Sequence, residues 1–100
     1  TQIEMRKLEL ARAMAVKPKL LISDEAMAGL SSSEVDDILK ILIALNEETN
    51  ITIIMIEHIM RAVMSFSERV VCLDAGKVIA NAKPDEVIKI PAVEKAYLGE

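Results

Sequence analysis

Aromatic side chains are almost missing from this sequence, which has no Trp, one Phe and one Tyr. Single-stranded nucleic acid is held by stacking its bases on aromatic faces, so that class of platform is excluded. A basic excess is missing too: 12 Lys and Arg stand against 16 Asp and Glu, for a net charge of −4. Nucleic-acid surfaces are built from basic stripes, and none is expected here. The single Cys cannot form an internal disulfide, which excludes a small secreted scaffold stapled by cross-links. No apolar run approaches the roughly 20 residues of a membrane span, and no secretory signal pattern opens the chain. With only three Gly and three Pro, there is no linker or low-complexity stretch. The expectation is a soluble, cytoplasmic, globular chain that makes no direct membrane insertion.

What is present is apolar. Of the 100 residues, 52% are hydrophobic and 28% charged, too apolar for intrinsic disorder. The length suits one domain at most, so residues 1–100 are read as a single unit.

Residues 3–16 are rich in helix formers. Leu8, Ala11 and Ala15 fall at helical spacing, while Arg6, Lys7 and Arg12 make a basic, solvated face. Pro18 ends that helix, and Lys19 to Ser23 reads as a strand whose continuous apolar run suits burial on both faces. Ser31 with Glu34 three residues on is a capping box, opening a helix to about Asn46. Val35, Ile38, Leu39, Leu42 and Leu45 form its buried stripe. Residues 51–56 are a second buried strand, 59–65 a helix and 69–73 a third strand. Asp74-Ala75-Gly76 then turns the chain into an antiparallel partner over 77–80. Pro84 starts a short helix, and a final helical turn from Val93 to Leu98 ends in Gly99. Strand–helix–strand–helix–strand order implies an α/β fold: parallel strands, one antiparallel edge strand and flanking helices.

Ligands of open α/β sheets bind at the carboxyl ends of the strands. One strand here ends in Ser23-Asp24-Glu25, the other in Glu57-His58. Asp24 suits a cation beside phosphates, Glu25 could orient a water, and His58 could reach the same pocket. That set fits phosphoryl transfer to water. Two acids after a strand equally suit a solvated turn, and an exposed loop histidine is common. Cys72 reads as a small core residue. Ser31 is best explained as a helix cap.

The segments RKLELARAM, KPKLLISDEAMAGL, ITIIMIEHIMRAVM, RVVCLDAGKVIANAKPDEV and AYLGE together resemble the C-terminal half of an ABC-transporter ATPase subunit, most of all the branched-chain amino-acid importer type. The resemblance implies part of a P-loop NTPase core. It makes Leu20 to Asp24 the Walker B strand, with Asp24 the carboxylate associated with Mg²⁺. Glu25 matches the glutamate that polarises the attacking water, and His58 the switch histidine on the γ-phosphate. Residues 28–31 fall on the D-loop, where Ser31 would lie near a nucleotide across a dimer. ATP and Mg²⁺ are the implied cofactors. The implied partners are a second ATPase subunit and membrane permease subunits, on the inner face of the plasma membrane.

The sequence also departs from the family pattern. Thr1-Gln2-Ile3-Glu4-Met5 stands where the glycine-containing signature loop is expected, and Ala26 replaces the usual Pro. Ile59 stands where Asp is frequent, and Ser31 where Asp or Asn is usual. No GxxxxGK[ST] phosphate loop and no glutamine loop occur in these residues. The expectation is a C-terminal fragment that alone neither binds ATP tightly nor hydrolyses it, and that self-associates through its uncovered apolar surface. The alternative is a non-catalytic interaction or dimerisation module with a decayed nucleotide site. A phospho-receiver domain fits poorly, because only a helix precedes Asp24.

Overall fold

In the computed structural model, which describes residues 1–97, the chain divides into two compact units, Thr1–Glu57 and His58 onward. Leu98 and Gly99, the expected end of the last helical turn, lie outside the described residues.

The first unit opens with α1 (Gln2–Ala15), capped by the Thr1 hydroxyl, which accepts from the Glu4 N–H. None of its residues is fully buried. The half-buried positions are Ile3, Arg6, Leu10, Ala13 and Met14, a stripe at helical spacing. This corrects the expected face: Leu8, Ala11 and Ala15 are exposed, and Arg6 lies on the inward side. Leu10 and Ala13 line the cleft against the strand that follows, and both lie on that stripe. After Lys17, whose φ is +53°, and Pro18, the chain enters β1 (Leu20–Asp24).

The capping box of Ser31 and Glu34 starts α2 (Ser32–Thr49) with both of its hydrogen bonds formed. Val35, Ile38, Leu39 and Leu42 are buried as the spacing predicts, and Leu45 is half-buried. The helix runs three residues past Asn46, since Glu47 and Glu48 are good helix formers. Asn50 stops it in the left-handed region at φ +56°. The Asn46 side chain then donates to the Ile51 carbonyl at 2.7 Å, fixing the entry to β2 (Thr52–Ile56). Strands β1 and β2 are parallel, pairing Leu20 with Thr52, Ile22 with Ile54 and Asp24 with Ile56. A parallel pair requires a crossover connection, which α2 supplies.

Only one face of this sheet is covered. Leu21 and Ser23 are buried, whereas Leu20, Ile22, Ile54 and Ile56 are 47%, 57%, 48% and 48% exposed. The expectation of strands buried on both faces fails because, within the first unit, no element covers the face that carries these four residues.

The second unit comprises α3 (Met60–Phe66), β3 (Val70–Asp74), β4 (Lys77–Ala82), α4 (Pro84–Val87) and α5 (Pro91–Tyr97). A two-residue turn joins β3 to β4, with Ala75 at φ +49° and Gly76 at φ +79°. Positive φ at both positions matches the right-handed twist of the strands. Val70, Cys72, Ala80, Val87 and Val93 form this unit's core. Burial pushes the Cys72 thiol above its ordinary range, as befits a core residue. The Tyr97 hydroxyl donates to the Leu73 carbonyl, tying α5 to β3. Where the order of elements implied one sheet with an antiparallel edge, the described residues form two separate two-stranded sheets.

Candidate functional site

Asp24 is the last residue of β1 and pairs with Ile56, the last residue of β2. Both strands point the same way, so the two ends form one lip of the sheet. Ser23 beneath it is buried and Asp24 exposed, the alternation of a pleated strand putting them on opposite faces. The parallel ladder continues one rung further, as the Glu25 N–H donates to the Ile56 carbonyl at 2.9 Å.

Glu25 is where the strand breaks. Its φ is +52°, in the left-handed region that residues with a Cβ seldom occupy. The break sends the chain into a compact loop, with hydrogen bonds from Ala28 N–H to Glu25 O and from Leu30 N–H to Met27 O. Met27, within this loop, is fully buried. Glycine is required at Gly29, where φ is +79° and an added Cβ would fall 2.7 Å from Gln2 Nε2. Gln2 Nε2 itself donates to the Ala28 carbonyl at 3.3 Å, joining the start of α1 to this loop.

Glu57, the residue directly after β2, is half-buried like Ile53 and Met55 before it. Its Oε2 accepts the Met27 N–H at 3.2 Å, and its Oε1 is buried without a partner among the described residues. The sequence reading gave Glu57 no role. The signal for it is the period of two along β2: a carboxylate falls at a position where the alternation demands an inward side chain.

The sequence-predicted residues are distributed as follows. Asp24 and Glu25 lie together at the β1 end, both exposed. Ser31 follows the loop as the N-cap of α2, its hydroxyl accepting the Glu34 N–H at 3.3 Å and lying 3.3 Å from the Ser33 hydroxyl. That places Ser31 in its capping role. His58 is exposed and begins the second unit, directly after Glu57 in the chain. Arg6, expected on a solvated face, instead lines a cleft of about 250 Å³ with Leu10, Leu21, Asp24 and Leu42. Its Nε is buried without a partner among the described residues, and its Nη1 lies 3.6 Å from Glu9 Oε1.

The donor set offered to a cation is one exposed carboxylate, Asp24, at a strand end. Mg²⁺ keeps several waters and is commonly held by one or two carboxylates together with substrate phosphates. The arrangement fits such a shared ion. It does not supply a cage, since no group of three or more potential ligands occurs among the described residues.

No protein-family model matches the chain. The high-affinity branched-chain amino acid transport ATP-binding protein BraF of Pseudomonas aeruginosa is 41% identical over 97 residues, which cover 97% of this chain and 38% of BraF. The corresponding protein LivG of Escherichia coli K12 is 38% identical over the same shares of each chain. Among solved structures, the ADP conformation of an ATP-binding cassette of an ABC transporter superposes with a TM-score of 0.88 at 27% identity. That match covers 100% of this chain and 41% of the cassette. The CbiO1 protein of Clostridium perfringens, part of an ABC transporter complex, matches with a TM-score of 0.75 at 33% identity over 89% of this chain and 36% of its own. The chain thus spans about two-fifths of the length of the curated relatives it matches.

Proposed function

From a chain that is related along nearly its whole length to ABC-transporter ATP-binding proteins, and that shares their α/β fold, we infer a part in Mg·ATP hydrolysis coupled to transport. The solute class is amino acids, by analogy with BraF and LivG. Asp24 would hold Mg²⁺, Glu25 would orient and polarise the attacking water, and His58 would donate to the γ-phosphate. When bound, the ion supplies charge neutralisation at the transferring group. The observation that carries this reading is the placing of Asp24 and Glu25 at the carboxyl end of β1, level with the end of β2, where α/β sheets bind ligands.

These residues lack a phosphate loop and are proposed not to turn over ATP by themselves. A second ATPase subunit and membrane permeases are the partners of the working assembly, at the cytoplasmic face of the membrane. Among the described residues no helix is long and apolar enough to cross it.

The test is a chimera. Residues 6–100 replace the matching segment of E. coli LivG, and Mg·ATP turnover is measured with and without Glu25→Gln. A chimera that hydrolyses ATP and loses about 100-fold or more on Glu25→Gln supports the reading. A folded chimera whose turnover ignores Glu25 overturns it.

One observation favours a second reading, a non-catalytic interaction module. Residues 2–5, where a glycine-containing loop is expected from the family, are already helical, and Ile3 carries a side chain there. A chimera spanning residues 1–100 that is inactive, beside an active one spanning 6–100, would support that reading.

A further inference from the structure

We propose that Glu57 is a positioning residue whose carboxylate clamps the loop after β1 and holds Glu25 in its left-handed backbone. This rests on the role given above to Glu25, but its physical content is a restraint that can be seen without nucleotide.

A residue with a Cβ stays at φ near +52° only where its surroundings over-determine it. Two ties flank Glu25. Before it, the Glu25 N–H is held by the Ile56 carbonyl, which merely prolongs the parallel ladder. Beyond it, the Met27 N–H is held by Glu57 Oε2 across 30 residues of sequence. The backbone bonds within the loop, Ala28 to Glu25 and Leu30 to Met27, are local and turn with it. Release of the Met27 N–H would remove the long-range backbone tie on the far side of Glu25 and let the peptide units there relax toward negative φ.

The chemistry of the tie suits a restraint. A carboxylate accepting a backbone N–H makes a charge-assisted bond, stronger than one between neutral groups. Met27 is fully buried, so water competes poorly for its amide. Glu57 Oε1, by contrast, is buried with no partner among the described residues, which penalises the fold. Half of the carboxylate holds the loop while the other half is uncompensated. Stability alone would favour an apolar side chain here, in line with Ile53 and Met55.

The experiment uses the isotopically labelled 100-residue chain as wild type, Glu57→Gln and Glu57→Ala. Amide exchange is followed at Met27, Ile53 and Leu42, and the Cα and Cβ shifts at Glu25. Gln keeps an acceptor oxygen, so Glu57→Gln should leave Met27 protection and the Glu25 shifts close to wild type. In Glu57→Ala, Met27 should exchange at least about tenfold faster, and the Glu25 shifts should leave left-handed values. Ile53 and Leu42 should stay protected. Unchanged Met27 exchange in Glu57→Ala overturns the proposal. So does a folded Glu57→Gln that loses Met27 protection, and this second variant decides the matter if Glu57→Ala does not fold. An inactive chimera would overturn the catalytic reading of Glu25 and leave these readouts unaffected.

Discussion

The Glu25 N–H donates to the Ile56 carbonyl at 2.9 Å while Glu25 itself sits at φ +52°. The last rung of the parallel ladder and the break that ends the strand thus fall on one residue. The hydrogen bond fixes where Glu25 stands, and the left-handed backbone turns the chain away from the sheet directly after it. The change of backbone direction thus falls directly after Asp24, the neighbour of Glu25 in sequence.

The left-handed backbone predicts an unusual order of stabilities at position 25. Glycine meets no Cβ penalty there, whereas a β-branched residue meets it in full, about 1–2 kcal/mol. Glu25→Gly should therefore unfold at a urea concentration no lower than wild type, and Glu25→Val should be the least stable of the three. Val more stable than Gly at this position would mean that residue 25 is not left-handed.

Gly29 makes a second test of the same loop. With φ at +79° and a Cβ only 2.7 Å from Gln2 Nε2, Gly29→Ala must strain the backbone and displace the Gln2 side chain from the Ala28 carbonyl. A loss of about 1–2 kcal/mol is expected in urea unfolding. Moving Gln2 aside is the cheaper part, so Gln2→Ala in the Gly29→Ala background should restore little.

Much of this was legible in the residues and some was not. Ser31 with Glu34 announced the start of α2, and Val35, Ile38, Leu39 and Leu42 its buried side, since both signals are local. Asp24 and Glu25 were marked by being acidic at the end of an apolar run. The α1 stripe was misread because Leu8 looks like a core residue, and only tertiary packing reveals that Leu10, Ala13 and the stem of Arg6 face β1. A long Arg stem packs against apolar surface as a hydrophobe does. Leu42→Ala should cost about 2–5 kcal/mol and Leu8→Ala under about 0.5 kcal/mol, a contrast that equilibrium unfolding reads directly. Glu57 went unread because its role depends on an amide 30 residues away, which no spacing rule reaches.

Cys72 gives a pH prediction in the second unit. Burial raises its folded pKa, so the unfolded chain loses its thiol proton first as pH rises. The stability this group contributes is complete below the unfolded thiol's pKa of about 8.5 and falls as pH climbs from there through the folded value. Cys72→Ala should remove that alkaline decline, as measured by urea midpoints on both sides of it. At neutral pH a thiol reagent should modify Cys72 slowly in buffer and quickly in denaturant.

The uncovered sheet face makes the last prediction. Leu20 and Ile22 on β1 stand beside Ile54 and Ile56 on β2, because the register pairs Ile22 with Ile54 and the pleat sends alternate residues the same way. Four large apolar side chains, each about half exposed, then share one face of a two-stranded sheet. Contiguous apolar surface of this kind is rarely left in water by a stable soluble protein. The 100-residue chain should therefore self-associate as its concentration rises, and Ile22→Lys with Ile54→Lys should weaken that association by placing two cations on the face. Sedimentation equilibrium on both forms measures it. A wild-type chain that stays strictly monomeric at high concentration would refute the prediction. An association that the two lysines leave unchanged would instead direct attention to the other exposed apolar row, Val71, Leu73 and Val78 on β3 and β4.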